Sequence, residues 1–237
     1  MGIRRNTKDM VSAWFMSAPA ITGLLLFMAL PFLIAAALSF TTYRLNSPLP
    51  LRWAGFDNYK SLLESGDFPR AVLNNIYFTA VVVPVQTVMA LALALLVNQR
   101  LKGMVIFRTL FFLPVIYPMA LVSVVWGLIF APGESGLMNQ LLDIISFGRW
   151  NTNTDFLRNE WFAMPCVMIM SIWQGVGFQM VVLLAALQGI PETLYEAARI
   201  DKAGKWARFL HVTLPQLRNG LIFVAMVTTI LAFRLFD

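Results

Sequence analysis

Charge is scarce in this chain: 13% of its 237 residues are Asp, Glu, Lys or Arg, against roughly 25% in soluble domains. With 59% of residues hydrophobic and a mean hydropathy of +0.71, its apolar blocks are too long to share one water-soluble core. An integral membrane protein follows. The single cysteine, Cys166, leaves no intramolecular disulfide and no thiolate cluster. In its apolar run it reads as a small buried hydrophobe. The single histidine, His211, leaves metal clusters and histidine-based triads without parts, so a solvated or packing role suits it. A nucleotide-binding loop is missing as well. Gly204-Lys205 is followed by Trp206, and position 199 is arginine, so the P-loop pattern fails. The net charge of +6 does not point to nucleic acid, because basic loops on one side of a polytopic membrane protein give the same balance.

What the chain does have is five apolar blocks, read as an all-α, polytopic transmembrane helical bundle. Val11 to Phe40 is the first, at 30 residues, longer than the roughly 20 a bilayer needs. It must tilt or kink, with Pro19 and Pro31 as candidate sites. Ala18-Pro19-Ala20 mimics a signal-peptide cleavage site, but the apolar region continues past it, so an uncleaved span fits better. Ala71 to Val97 is the second block, interrupted by Pro84. Val105 to Ala131 is the third, containing Pro114 and Pro118, and Trp161 to Leu187 is the fourth. Leu221 to Phe236 opens a fifth, only about 24 Å long against about 30 Å of hydrocarbon. A truncated chain end and a sixth span in the full-length protein are expected. The loops after the first and third blocks are polar, and Trp53, Phe56 and Tyr59 in the earlier one suit a membrane interface.

Charge sets the orientation. Residues 1–10, 98–108 and 189–220 carry 11 of the 18 basic residues, including Arg4, Arg5, Lys8, Arg100, Lys102 and Arg108. The other two loops carry 6, Arg44 among them. The bias predicts a cytoplasmic amino terminus, and with it a cytoplasmic position for the long polar stretch between the last two blocks.

That stretch, Pro191 to Pro215, is more than a linker. Leu194, Ala197, Ala198 and Ile200 fall near one face at helical spacing, interleaved with Glu192, Glu196, Arg199 and Lys205. Pro191 and Glu192 suit a helix start. A second apolar run, Phe209, Leu210, Val212 and Leu214, leads to Pro215, which ends or kinks the chain. A solvated amphipathic loop on lipid headgroups and a helix laid in a partner's groove both fit these residues.

Glu196-Ala197-Ala198, followed at the expected distance by Val212-Thr213-Leu214-Pro215, resembles the EAA loop of permease subunits of binding-protein-dependent ABC importers. One position departs from that pattern: Lys202 stands where the family usually has glycine, with Gly204 two residues later. The tight turn is then either shifted or built on different backbone geometry. Gly55-Phe56-Asp57-Asn58-Tyr59 is similar to the family's first outer loop, and Phe107-Arg108 through Leu113-Pro114 to the start of a later span. With Pro19, Pro31 and Ser39-Phe40, these point to the carbohydrate-uptake branch, in the subunit resembling the first of two unlike permeases.

The resemblance implies one permease domain over residues 1–237, with the coupling loop 191–215 inside it. It implies that Glu196, Ala197, Ala198, Asp201, Gly204, Leu214 and Pro215 couple to an ATPase. It implies a multi-pass protein of the bacterial inner membrane, surrounded by lipid and paired with a second permease, two ATPase copies and an external solute-binding protein. No cofactor is bound by this chain; ATP and Mg belong to the ATPase partner. The chain is then a transport subunit and not an enzyme, and its solute is a sugar or sugar-like.

Two further groups of residues leave alternatives open. Ser171, Trp173, Gln174, Gly175, Gly177, Phe178 and Gln179 interrupt the aliphatic fourth block. They fit helix packing through small residues and amide bonds. They equally fit a translocation pathway in which amides match hydroxyls and rings cover sugar C–H faces; Gln174 and Phe178, four apart, share a face. Arg234, inside the last block, either pairs with Asp237 or meets substrate or the second permease. A permease for a non-carbohydrate solute is the main alternative function. A self-contained secondary transporter is less favoured, since before Arg234 the spans hold almost no ionisable group, and a membrane enzyme lacks catalytic groups.

Overall fold

The computed structural model describes residues 7–42, 52–99 and 103–234. Arg4, Arg5, Arg44, Arg100, Lys102 and Asp237 lie outside the described residues. Among those described, no strand forms; one isolated antiparallel bridge joins Thr41 and Trp53. Residues divide into two compact units, Met1–Val72 and Leu73–Asp237.

In the first unit, α1 (Thr7–Leu24) passes through a π-helical turn, Leu25–Ala29, into α2 (Leu30–Leu38). The π turn has a local cause. Pro31, near the start of α2, has no N–H and its ring crowds the carbonyl four residues back. Just before it the ladder widens, so that the Leu30 N–H reaches the Leu25 carbonyl. Pro19, the other expected kink site, sits inside α1. After α2 the chain is clasped. Phe40 stacks on Trp53 at 5.8 Å and meets Phe56 edge-on at 5.4 Å. Asn58, at the start of α3 (Asp57–Glu64), donates to the carbonyls of Ser39 and Thr41 at 2.8 and 2.9 Å. Gly55 makes the turn with φ +55°, where a side chain would be strained. The motif at residues 55–59 therefore ties α3 to the end of the first apolar helix.

The boundary between units falls inside α4 (Asp67–Val97). The second unit continues with α5 (Met104–Ile116), α6 (Met119–Ile129), α7 (Leu137–Ile145), α8 (Ala163–Gln188) and α9 (Glu192–Ile200). Then come α10 (Lys205–Arg208), a π turn at Phe209–Thr213, α11 (Leu214–Gln216) and α12 (Arg218–Phe233). Among the described residues, three helices are long and apolar enough to cross a membrane: Met10–Leu38, Asp67–Val97 and Ala163–Gln188. Two further apolar pairs are bent, by 99° between α5 and α6 and by 63° between Lys205–Gln216 and α12.

The expected continuous third span is thus two helices. Tyr117 is extended (φ −74°, ψ 135°), as the residue before a proline favours, and Pro118 starts α6 with no N–H to give. Pro114, by contrast, stays inside α5. At Pro215 the outcome also differs from a simple stop. The proline opens α11 after a π turn in which the Leu214 N–H reaches the Phe209 carbonyl, and the bend comes after it, where α12 begins. Pro31 and Pro215 share this arrangement.

Two core clusters give the helix directions. Phe78 and Val82 of early α4, Met168 of early α8 and Ala232 of late α12 form one. Ala94 and Val97 of late α4, Leu183 and Leu187 of late α8, and Leu217 and Val224 around early α12 form the other. So α4 and α8 run the same way and α12 runs back. Met104 and Phe111 of α5 pack on the second cluster, while Phe130, just after α6, packs with Cys166 at the start of α8. The bent α5–α6 pair therefore leads from one end of α8 to the other. Contact with α5 is close: a Cβ on Gly177 would lie 2.1 Å from the Phe111 carbonyl oxygen, so only glycine permits it.

Candidate functional site

Between the two core clusters lies a cavity of about 380 Å³. Phe78, Val82 and Gln86 line it from α4, Ser171, Gln174, Gly175 and Phe178 from α8, and Val227, Thr228, Leu231 and Ala232 from α12. Val115 and Met119, on either side of the α5–α6 break, complete the wall. The break matters chemically. In an unbroken helix the Tyr117 carbonyl would accept from its own ladder; here the Gln174 Nε2 donates to it at 3.3 Å.

Of the residues expected along a translocation pathway, Ser171, Gln174, Gly175 and Phe178 come together on this wall. The Ser171 Oγ is buried and has no protein partner. Trp173 points elsewhere, meeting Trp126 of α6 edge-on at 5.6 Å. Gln179 is 1% exposed behind the cavity and donates to the Thr228 hydroxyl, which itself donates to the Val224 carbonyl at 2.8 Å. Gln179 and Gly177 therefore serve helix packing. Arg234 caps the carboxyl end of α12, is exposed and does not line the cavity; Asp237, its expected partner, lies outside the described residues.

Sequence reasoning missed Gln86 and Thr228. Gln86 is 4% exposed and lies over Gly175, whose missing side chain makes room: a Cβ there would be 2.4 Å from the Gln86 Nε2. An amide well inside an apolar block was the one local sign of Gln86, and it does not say which way the side chain faces.

At the far end of α8, the 191–217 segment is a helical hairpin. Pro191 precedes α9 as its cap residue, and Arg199 reaches back to Glu192 at 2.9 Å, an exposed pair. Tyr195 shares a hydrogen bond of 3.0 Å with the Thr213 hydroxyl, fastening α9 to the π turn. Glu196, Ala197, Asp201, Gly204 and Pro215 are exposed, Ala198 and Leu214 partly buried. Ile200 (81%) and Trp206 (70%) are exposed apolar groups beside them. The turn has not shifted to Gly204, which is extended (φ −65°, ψ 168°) ahead of α10. Lys202 itself adopts the left-handed conformation, φ +54°. The Lys202 N–H donates to the Arg199 carbonyl at 3.0 Å and the Ala203 N–H to Ala198 at 2.9 Å, a Schellman motif normally closed by glycine. His211 bonds the Ala207 carbonyl through Nδ1 at 3.0 Å, a packing contact within the hairpin. Beside the hairpin a polar cavity of about 1150 Å³ is lined by Asn98, Arg108, Gln188, Tyr195 and neighbours. Among the described residues, no group of three or more His, Cys, Asp or Glu could hold a metal ion.

Residues 61–237 match the family described as binding-protein-dependent transport system inner membrane component. The chain belongs to that family. This permease is 32% identical over 228 residues to the lactose transport system permease protein of Rhizobium radiobacter, covering 96% of this chain and 74% of that one. It is 32% identical over 225 residues to the trehalose/maltose transport system permease protein of Thermococcus litoralis, covering 94% and 74%. Its fold is similar to a chain in the crystal structure of a bacterial ABC transporter that imports the acidic polysaccharide alginate. That likeness has a TM-score of 0.76 at 26% identity, over 93% of this chain and 73% of that one. The resemblance to the carbohydrate-uptake branch, first carried by Pro19, Pro31, Ser39-Phe40 and residues 55–59 and 107–114, agrees with these relatives.

Proposed function

We propose that this permease forms half of the translocation pathway of an ATP-driven importer for a sugar or sugar-like solute. The observation that carries the reading is the cavity between α4, α8 and the carboxyl half of α12, where neutral polar groups meet apolar walls. Ring hydroxyls would exchange water for the amides and hydroxyl, and C–H faces would rest on Phe78 and Phe178. Binding of this kind is weak enough to release. The chain makes five crossings as one permease domain, counting each bent pair as one, with the amino terminus in the cytoplasm as the basic residues favour. The directions of α4, α8 and α12, and the path of α5–α6 along α8, support this count.

In this topology the 191–217 hairpin faces the cytoplasm. Glu196, Ala197, Ala198, Asp201, Gly204, Leu214 and Pro215 dock it into an ATPase, with Ile200 and Trp206 as exposed anchors. A second permease completes the pathway, two ATPase copies hold ATP and Mg, and an external solute-binding protein delivers the solute. This chain performs no covalent chemistry. The motor's closure pulls α9, and the Tyr195–Thr213 bond carries that movement into the π turn and α12.

Reconstitution of the permease with its partner permease, ATPase and binding protein tests this. Sugar-loaded binding protein is expected to stimulate ATP turnover and uptake into vesicles. Uptake without any ATPase would overturn the coupling, and stimulation by a non-carbohydrate cargo alone would reassign the solute.

A further inference from the structure

Among the described residues, none of the thirteen that line the 380 Å³ cavity is ionisable. Its polar groups are Gln86, Ser171, Gln174 and Thr228, all neutral and drawn from three helices. Arg218 opens the last helix and Arg234 caps it; both are exposed and outside the lining. An anion carried into such a site would leave water and meet no countercharge on this chain's described wall, which is unfavourable in a membrane interior. A hydroxyl both donates and accepts, and so do an amide and the partnerless Ser171 hydroxyl.

We infer that the cavity selects an uncharged, hydroxyl-bearing solute, and that Gln86 is a specificity-determining residue of it. The inference rests on the reading of this cavity as the solute site. Gln86 reaches the lining because residue 175 has no side chain. A methyl group there would collide at 2.4 Å with the end of the Gln86 amide, a flexible group that can move, so Gly175→Ala re-aims Gln86 and spares the backbone. Two substitutions on different helices therefore act on one amide.

The test uses the assembled complex in lipid nanodiscs without binding protein, so that delivery does not impose its own preference. Saturation-transfer NMR titrations compare maltose and lactose with a dimannuronate of similar size. The neutral disaccharides are expected to bind, with the dianion at least tenfold weaker. Gln86→Leu and Gly175→Ala are each expected to weaken neutral binding about fivefold in complexes that keep their melting temperature, and Gln86→Lys to narrow the gap to the dianion. Equal binding of neutral and anionic probes by the unaltered complex, or no change in Gln86→Leu and Gly175→Ala, would overturn the inference and leave the cavity as a solute site. Binding of no probe at all would overturn both.

Discussion

Gln179 and Tyr195 each hold a threonine hydroxyl, in opposite settings. Gln179 is 1% exposed among the spans, and its partner Thr228 is 49 residues away on another helix. Tyr195 is half-buried at the membrane end of the hairpin, and Thr213 is 18 residues on. The contrast extends to the two regions. Around the cavity, polar groups are neutral and at least half-buried, and those that are bonded reach across helices, as Gln174 and Gln179 do. In the hairpin they are charged, mostly exposed and bonded locally, as with Glu192–Arg199 and the Lys202 turn. The proposed solute site and the proposed docking face are thus built from two different kinds of surface.

The comparison breaks first at Gly177. Replacing it with leucine drives a side chain into the Phe111 carbonyl. We expect a loss on the order of 3 kcal/mol or more, seen as failure to recover a monodisperse complex, whereas a bulky change at exposed Ala197 should leave the complex intact. Thr228→Val strips Gln179 of its hydrogen-bond partner inside the spans and should cost about 1.5 kcal/mol. Tyr195→Phe removes the equivalent bond in the hairpin and should cost about 0.5 kcal/mol; equal losses in denaturation of the two would erase the distinction between buried and surface networks. Glu196→Lys should leave insertion and melting unchanged yet lower binding-protein-stimulated ATP turnover about tenfold; unaltered turnover would count against docking through this face. The smallest effect is a gain. Lys202→Gly relieves a left-handed side chain costing about 1–2 kcal/mol at an entropic cost of about 0.5–1 kcal/mol, so the hairpin should stiffen by about 0.5 kcal/mol. Slower amide exchange at Ala203 would report it.

The two regions also differ in how far their sequence could be read. The hairpin is written largely in local signals, so the helix from Glu192 follows from spacing, whereas the turn was open between Lys202 and Gly204 until the backbone showed Lys202 left-handed. The clasp at residues 55–59 was legible only as a motif, because the contacts of Phe56 and Asn58 with Phe40, Ser39 and Thr41 join residues well apart in the chain. The long helices through Ala90 and Val176 follow from length and hydropathy. The α5–α6 break does not, because Pro84, Pro114 and Pro118 look alike in an apolar run. What singles out Pro118 is the Gln174 amide, which satisfies the Tyr117 carbonyl from a different helix. Gln86 was unreadable in the same way, since its place depends on the absent side chain of residue 175 on a neighbour. Of the polar cluster on α8, only three-dimensional packing separates Ser171 and Gln174 on the wall from Trp173 and Gln179 away from it.

The π turns before Pro31 and Pro215 each hold one spare residue relative to an ideal helix. A helical wheel drawn through Leu25–Ala29 or Phe209–Thr213 goes out of phase there, by about 100° of azimuth. Amphipathic stripes must therefore be plotted separately on each side of these turns. Deleting one residue within Phe209–Thr213 would restore the regular ladder at the expense of rotating α12 about its own axis, turning Thr228 away from its place on the wall.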